Sequence, residues 1–171
     1  MKQTYTSRAT SINAAKLPKV YGTIPALPRH SLLLDYGCGR YTDHIQAALP
    51  GVTYLPYDPF NQPEDVNAHS LYYVRLAMHV HMPVTVVCSN VLNVIDSDDA
   101  VRDIAATIRQ IIDATGGTAY ITVYAGDRSG RGRQTGPDQY QRNEPISAYL
   151  HLFPGAVISH GAIIYHKEAS A

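Results

Sequence analysis

Between residues 31 and 125, short apolar runs alternate with segments of helical patterning, and this alternation constrains the fold more than any single motif. Leu32-Leu33-Leu34, Val52–Tyr57, Val84–Cys88 and Thr118–Tyr124 are rich in aliphatic, β-branched and aromatic residues. Runs of that length between turn residues suit strands buried on both faces, as in a parallel sheet. Pro56 places the second run at a sheet edge, because proline has no N–H to give to a further strand. The segments between the runs read as helices. One follows Thr42, a candidate N-cap, with Asp43 in its first turn, and stops at Leu49 before Pro50-Gly51. A second covers about residues 65–79, where Leu71, Val74, Ala77 and Met78 recur at helical spacing. The third is the clearest. Val101, Ile104, Ala105, Ile108, Ile111 and Ile112 share one stripe, Ser97 and Asp98 are placed to cap its start, and Gly116-Gly117 ends it.

After a polar loop from Ala125 to Asn143, Pro145 opens a short helix reaching Phe153. Strands at Ala156–Ser159 and Ala162–His166 then flank His160-Gly161, a hairpin turn. Strands separated by helices form βαβ units. The expected architecture is therefore an α/β three-layer sandwich, with a mainly parallel twisted sheet that closes in an antiparallel hairpin. Residues 31–171 form that single domain, with a loop insertion at 125–143. Residues 1–30 read as a polar lead-in with a short helix at Ala14–Tyr21, broken up by Pro18, Pro25 and Pro28.

Composition narrows the function classes. Fourteen basic residues balance fourteen acidic ones among 171, so no net charge draws the chain to nucleic acid or anionic membrane. No apolar run approaches the roughly 18–20 residues of a membrane span, and the amino terminus lacks the apolar stretch of a secretory signal. Two cysteines, Cys38 and Cys88, are too few for a disulfide framework and read as buried thiols. A small cytoplasmic protein is expected. His79-x-His81 has no third ligand at a suitable spacing, so no metal site is assigned.

In open α/β sheets, ligands sit beyond the carboxyl ends of the strands, where strand order reverses. Carboxylates, amides and glycines gather at four such ends: Asp35-Tyr36-Gly37-Cys38-Gly39, Tyr57-Asp58-Pro59-Phe60, Ser89-Asn90-Val91-Leu92-Asn93 and Tyr124-Ala125-Gly126-Asp127. Gly37 and Gly39 let the backbone approach a ligand closely. A dinucleotide fingerprint needs a third glycine where this chain has Thr42, which disfavours a nicotinamide-dependent reductase. Asp35 suits an ammonium group better than a pyrophosphate, and Asp58 is placed to accept from both hydroxyls of a ribose. Two acids around a glycine turn suggest a nucleoside with a cationic amino-acid tail, the character of S-adenosylmethionine.

Leu34-Asp35-Tyr36-Gly37-Cys38-Gly39 resembles motif I of the class I S-adenosylmethionine-dependent methyltransferases, and Tyr57-Asp58-Pro59-Phe60 their acidic second motif. Val87–Ile95 is similar to their fourth-strand motif, and Gly116-Gly117-Thr118 to the approach to their fifth strand. The ordered set spans about residues 31–125. Thr6-Ser7-Arg8, Thr10–Asn13 and Gly126–Gly130 further resemble small methyltransferase-like proteins of phages and mobile elements. The resemblance implies that Asp35, Gly37 and Gly39 hold the methionine part and Asp58 the ribose, with Tyr36, Tyr57 and Pro59 beside them. It also implies that Ser89, Asn90 and Val91 line the floor near the adenine and the methyl group. Two departures stand out. One helix between Asp58 and Val84 leaves the family's third strand missing or very short, and no Asn- or Asp-Pro-Pro-aromatic motif follows the fourth-strand segment.

Methyl transfer from a sulfonium needs acceptor positioning more than a dedicated dyad. Asn93, Tyr124 and Asp127 are the candidates for orienting the acceptor or removing its proton. Arg128, Arg131, Arg133 and Arg142, spread among glycines, with Tyr140 nearby, make an acceptor-binding lid over the cleft, nucleic acid being one possible acceptor. The competing reading is a non-catalytic methyltransferase-like protein that binds cofactor, nucleic acid or a host protein. Oligomeric state is left open.

Overall fold

The computed structural model describes residues 3–7 and 16–167. Its elements are β1 (Leu32–Tyr36), α1 (Asp43–Ala47), β2 (Thr53–Tyr57), α2 (Glu64–Val80), β3 (Val84–Ser89), α3 (Asp98–Thr115), β4 (Thr118–Thr122), β5 (Arg133–Gly136), β6 (Gln139–Gln141), β7 (Val157–Ser159) and β8 (Ala162–His166). Three 3-10 turns, Lys19–Gly22, Leu92–Val94 and Ile146–Leu152, complete the helices and strands among the described residues. The main sheet runs β2-β1-β3-β4-β8-β7. Its first four strands are mutually parallel, and β8 pairs antiparallel with both β4 and β7. This is the α/β sheet, parallel at its centre with an antiparallel closing hairpin, that the alternation of runs and helices predicts.

Local chemistry accounts for most boundaries. Ser97 Oγ accepts from Ala100 N at 3.2 Å and starts α3, and Gly116, at φ 68°, turns the chain left-handed to end it. All six residues of the α3 stripe are buried. On the core face of α2, Val74 and Ala77 continue one turn back into Ser70 and Asn67, both buried and both polar. Ser70 Oγ donates to Pro56 O at 2.6 Å, and Asn67 serves the loop after β2. The chain passes from β2 through α2 straight into β3, so among the described residues no strand lies beyond β2 and Pro56 does sit on an edge.

The two faces of the sheet are covered unequally. Leu32, Leu34, Val86, Cys88 and Ile121 pack under α2, α3 and the Ile146–Leu152 turn. On the other face, Leu33, Tyr54, Val87 and Tyr120 meet Ile45 of the five-residue α1 and Val20 and Tyr21 of the Lys19–Gly22 turn. The third layer is therefore thin. The helix expected at Ala14–Tyr21 is represented by that 3-10 turn, with residues 8–15 outside the described residues.

One reading needs correction. The segment 125–143 carries a two-stranded hairpin, β5–β6, and it is stitched down. Arg142 N donates to Asn93 O at 2.9 Å and Arg142 Nε donates to Ile95 O at 2.6 Å, while inside the segment Asn143 Nδ2 donates to Arg131 O at 2.9 Å. Polar composition suggested a loop because the residues that anchor it, Gln141, Arg142 and Asn143, are themselves polar.

Gly117, the residue before β4, lies directly against the first residue of β3. A Cβ there would stand 1.9 Å from Val84 O, a backbone atom that cannot move aside. Gly117→Ala is expected to destabilise the fold by about 3 kcal/mol or more, measured by urea denaturation.

Candidate functional site

Chain β1 leads to β2 on one side, and β3 leads to β4 on the other, so strand order reverses between β1 and β3. A cavity of about 870 Å³ opens there, beyond the carboxyl ends of the strands. It is within the usual size for a small-molecule site. Gly37, Gly39, Asp58, Pro59 and Ser89–Val91 all line it, together with Tyr36. These residues come from three separate loops, and the structure brings them together.

The turn after β1 is tight because one carbonyl anchors it. Gly37 N and Cys38 N both donate to Tyr57 O, at 2.7 and 3.3 Å, which ties the end of β1 to the end of β2. Gly37 has φ 78°, and a Cβ on it would meet Val91 Cγ2 at 2.4 Å. Glycine is therefore required twice over, for conformation and for the close approach of the β3 loop. α1 follows after Thr42, whose side chain makes no capping bond, and is five residues long.

Asp58 is the one carboxylate among the described residues that lines the cavity. Its Oδ1 accepts from Phe60 N at 2.9 Å and Asn61 N at 3.0 Å. Its Oδ2 accepts from Gly39 N and from Asn61 Nδ2, both at 3.1 Å. Asn67 holds the backbone of Asp58 from both sides, accepting from Asp58 N at 2.8 Å and donating to Asp58 O at 3.0 Å. Sequence reading missed Asn67. Its signal was position, a polar residue on the buried stripe of a helix.

Asp35 differs from its expected role. It lies on the same side of β1 as Leu33, facing the thin layer, is 3% exposed, and does not line the cavity. Tyr21 and Tyr54 hydroxyls each donate to its Oδ2 at 2.7 Å. Tyr57 likewise lies off the cavity wall, tilted against Tyr36 at a ring separation of 4.9 Å. Burial raises the Asp35 pKa from 3.8 to about 6, against the opposing effect of the two hydroxyl donors. Burial and the neighbouring Asp35 push both phenols upward, so they remain donors. Cys38 lines the cavity and Cys88 lies in the core; burial pushes both thiols up, and neither is poised as a nucleophile.

The acceptor-side candidates divide. Asn93 and Tyr124 line the cavity, Asn93 fully buried and Tyr124 64% exposed at the rim. Gln141, unforeseen, links them. Its Nε2 donates to Tyr124 O at 2.7 Å, and its Oε1 accepts from Asn93 Nδ2 at 3.1 Å. A backbone carbonyl thus sets the orientation of both amides. Asp127 is exposed and off the cavity, and hydrogen bonds from Ser129 hold its carboxyl below the usual range, which weakens it as a base. Arg128, Arg131 and Arg133 are exposed and do not line the cavity either, Arg133 standing 3.8 Å from Asp127. Arg142 is spent on structure, with Nη1 at 2.7 Å from Asp98. The ring of Tyr140 stacks on Tyr5 at 5.7 Å, so the face expected to meet a base meets the lead-in.

That lead-in is the remaining wall. Thr6 N donates to Asp138 Oδ1 at 2.8 Å, its hydroxyl donates to Oδ2, and Ser7 N donates to Asp138 O at 3.0 Å. Thr6 and Ser7 are thus fastened at the turn between β5 and β6, and they line the cavity together with Gln3 and Lys16–Val20. Among the described residues, no group of three or more His, Cys, Asp or Glu side chains is placed to hold a metal ion. Nor is any helix among those residues long and apolar enough to cross a membrane. No family model matches the sequence, and no curated protein matches it.

An acid whose pKa rises on folding binds its proton more tightly folded than unfolded. The Asp35 contribution therefore favours the fold below about pH 4 and is lost as pH climbs from about 4 to about 6. Asp35→Asn keeps an acceptor for both tyrosines without the buried charge. It is expected to remove that pH slope and to match or exceed the parent at pH 8, by at most on the order of 3 kcal/mol. Asp35→Ala leaves two buried hydroxyls unpaired and is expected to lose about 1–3 kcal/mol for each. Urea denaturation of all three proteins at pH 4.5 and 8 checks the order Asn, Asp, Ala.

Proposed function

We propose that the strand-end cavity binds S-adenosylmethionine and that the chain transfers its methyl group to a nucleic-acid or small-molecule acceptor. The observation that carries this reading is convergence. The glycine turn after β1, the acid after β2 and the Ser89–Val91 loop after β3, each matched to a motif of the class I methyltransferases, surround one cavity at the switch point. The missing third strand fits the departure already seen in the sequence. The small size and the lead-in motifs suit the phage and mobile-element members of that group.

The residues present fit such a cofactor with one adjustment. The backbone at Gly39, where a Cβ would meet nothing within 4 Å, lies open to an amino-acid tail with Gly37 beside it on the cavity wall, and Asp35 acts from beneath, holding the thin layer rather than touching the ammonium group. Asp58 is positioned for a ribose diol. Its oxygens already carry four donors, so Asn61 Nδ2 has to swing away from Oδ2 to admit a hydroxyl. Bound there, the sulfonium supplies an already activated methyl group. Asn93, held by Gln141, orients the acceptor, and the exposed ring of Tyr124 packs against it at the rim. With Asp127 away from the cavity and Asp58 engaged by the ribose, the favoured acceptor is a nucleophile that needs no carboxylate base.

The same absence supports the second reading, a protein that holds the cofactor without transferring the methyl group. Thermal unfolding with S-adenosylmethionine, S-adenosylhomocysteine and NAD tests the first step. At about 100 times the dissociation constant, binding adds roughly 2.7 kcal/mol, a rise of about 5–10 °C for a domain of this size. The expected result is a rise with the two sulfur nucleosides, a much smaller one in Asp58→Ala, and none with NAD. No response to either sulfur nucleoside rejects the cofactor assignment. Incubation of labelled donor with tRNA, DNA and lysate then separates the readings, since binding without label transfer favours the non-catalytic one.

A further inference from the structure

We infer that His160 is the base at the acceptor end of the cavity and takes the proton that the methylated atom gives up. The inference rests on the methyl-transfer reading. It names for that reading an acceptor that starts with a proton on the attacked atom, a hydroxyl or a ring N–H. In the sequence His160-Gly161 marks a hairpin turn, and the structure also places both residues on the cavity wall. Both are left-handed, with φ 50° and 77°. Such a turn ordinarily carries Asn or Gly at its first position, so the turn itself does not ask for histidine.

The sheet decides which end of the cavity this is. β4 and β8 pair with Ile121 opposite Ile163, so the turn before β8 stands level with Val123 and Tyr124, just past the end of β4. Those two residues line the cavity as well. β3 lies on the far side of β4, with Ser89 opposite Thr122. The turn is therefore two to three strand spacings, roughly 9–15 Å, from Ser89, beside which the methyl group is assigned. A planar acceptor occupies that interval, over Thr122 and beside Tyr124.

Elimination leads to the same side chain. Asp58 is at the other end, after β2, with four donors on its oxygens. Lys16, Lys19 and Arg40 line the wall from the lead-in and the turn after β1. Lysine, arginine, phenol and thiol groups ordinarily hold their protons at neutral pH, and burial pushes Tyr36 and Cys38 further that way. Among the described residues, His160 is the one histidine on the wall, and an imidazole is the side chain suited to take a proton there. Its Nδ1 lies 2.9 Å from Ser159 Oγ. With Nδ1–H donated to that oxygen, Nε2 is bare. The acceptor's lone pair then bonds to the methyl carbon, the carbon–sulfur bond breaks with its electron pair on sulfur, and the acceptor's proton passes to Nε2. The imidazolium returns that proton to water.

His160→Asn and His160→Gly both suit the left-handed turn, so they remove the base and keep the hairpin. Each is compared with the parent in thermal unfolding with S-adenosylhomocysteine, and in label transfer from S-adenosylmethionine to tRNA, DNA and lysate. Both variants are expected to bind S-adenosylhomocysteine as the parent does and to transfer label about a hundredfold more slowly. Added imidazole is expected to restore transfer to His160→Gly, where the missing ring leaves space for it, a response that a merely structural histidine would not give. Variants that label at the parent's rate, or slow variants that imidazole does not rescue, overturn the assignment while methyl transfer stands. A parent that binds the cofactor yet labels no fraction overturns it too, and leaves the non-catalytic reading. Failure of the parent to bind either sulfur nucleoside removes the methyl-transfer reading itself, and the base with it.

Discussion

The carbonyl of Tyr57 receives two backbone amides, those of Gly37 and Cys38, and through them the ends of β1 and β2 become one rigid corner. That corner depends on Gly37, whose left-handed backbone and missing side chain let the β3 loop close in at Val91. Asp58 extends the same construction by accepting from Gly39 N, and Asn67 locks Asp58 from the helix behind. A slip of one residue in β1 would move Leu33 and Asp35 to the opposite face, and the corner with them. The cavity is thus a consequence of how the two strands end rather than of any residue that points into it.

The same strand carries a less ordinary feature. A carboxylate in the middle of a sheet is costly unless its lone pairs are filled, and Asp35 meets two tyrosine hydroxyls, one from β2 and one from the Lys19–Gly22 turn. This pairing fastens the amino-terminal segment to the sheet on the side where α1 is short. Lys16–Val20 form part of the cavity wall, so the acid that does not line the cavity still shapes it. The lead-in near Thr6 closes the wall from the far side through Asp138.

Where local chemistry governs an element, it was legible in the residues. The isoleucine stripe of α3, the cap at Ser97, the Gly116-Gly117 stop, the edge placement of Pro56 and the His160-Gly161 turn all follow from side-chain pattern and backbone preference. The cavity-lining set Gly37, Gly39, Asp58 and Ser89–Val91 was legible too, because strand ends in a parallel sheet are forced to one side. The β5–β6 hairpin was not. Its strands are polar, and its hold on the body comes from Arg142, whose backbone and side chain reach the carbonyls of Asn93 and Ile95 far back along the chain. Asp127 and the exposed arginines looked like site residues for the same reason, since proximity in sequence to a strand end does not set the direction in which a loop leaves it.

What the residues alone determined is the alternating architecture and the loops that gather at its carboxyl edge, because hydrophobic period and turn chemistry act over a few positions. Which of two acids faces the cavity was decided by tertiary structure. Asp35 and Asp58 are both acids at strand ends, yet the parity of β1 turns one under the sheet toward two tyrosines while the end of β2 leaves the other at the cavity wall. That choice rests on contacts between segments distant in sequence, and on the requirement that a buried charge find its donors wherever the fold supplies them.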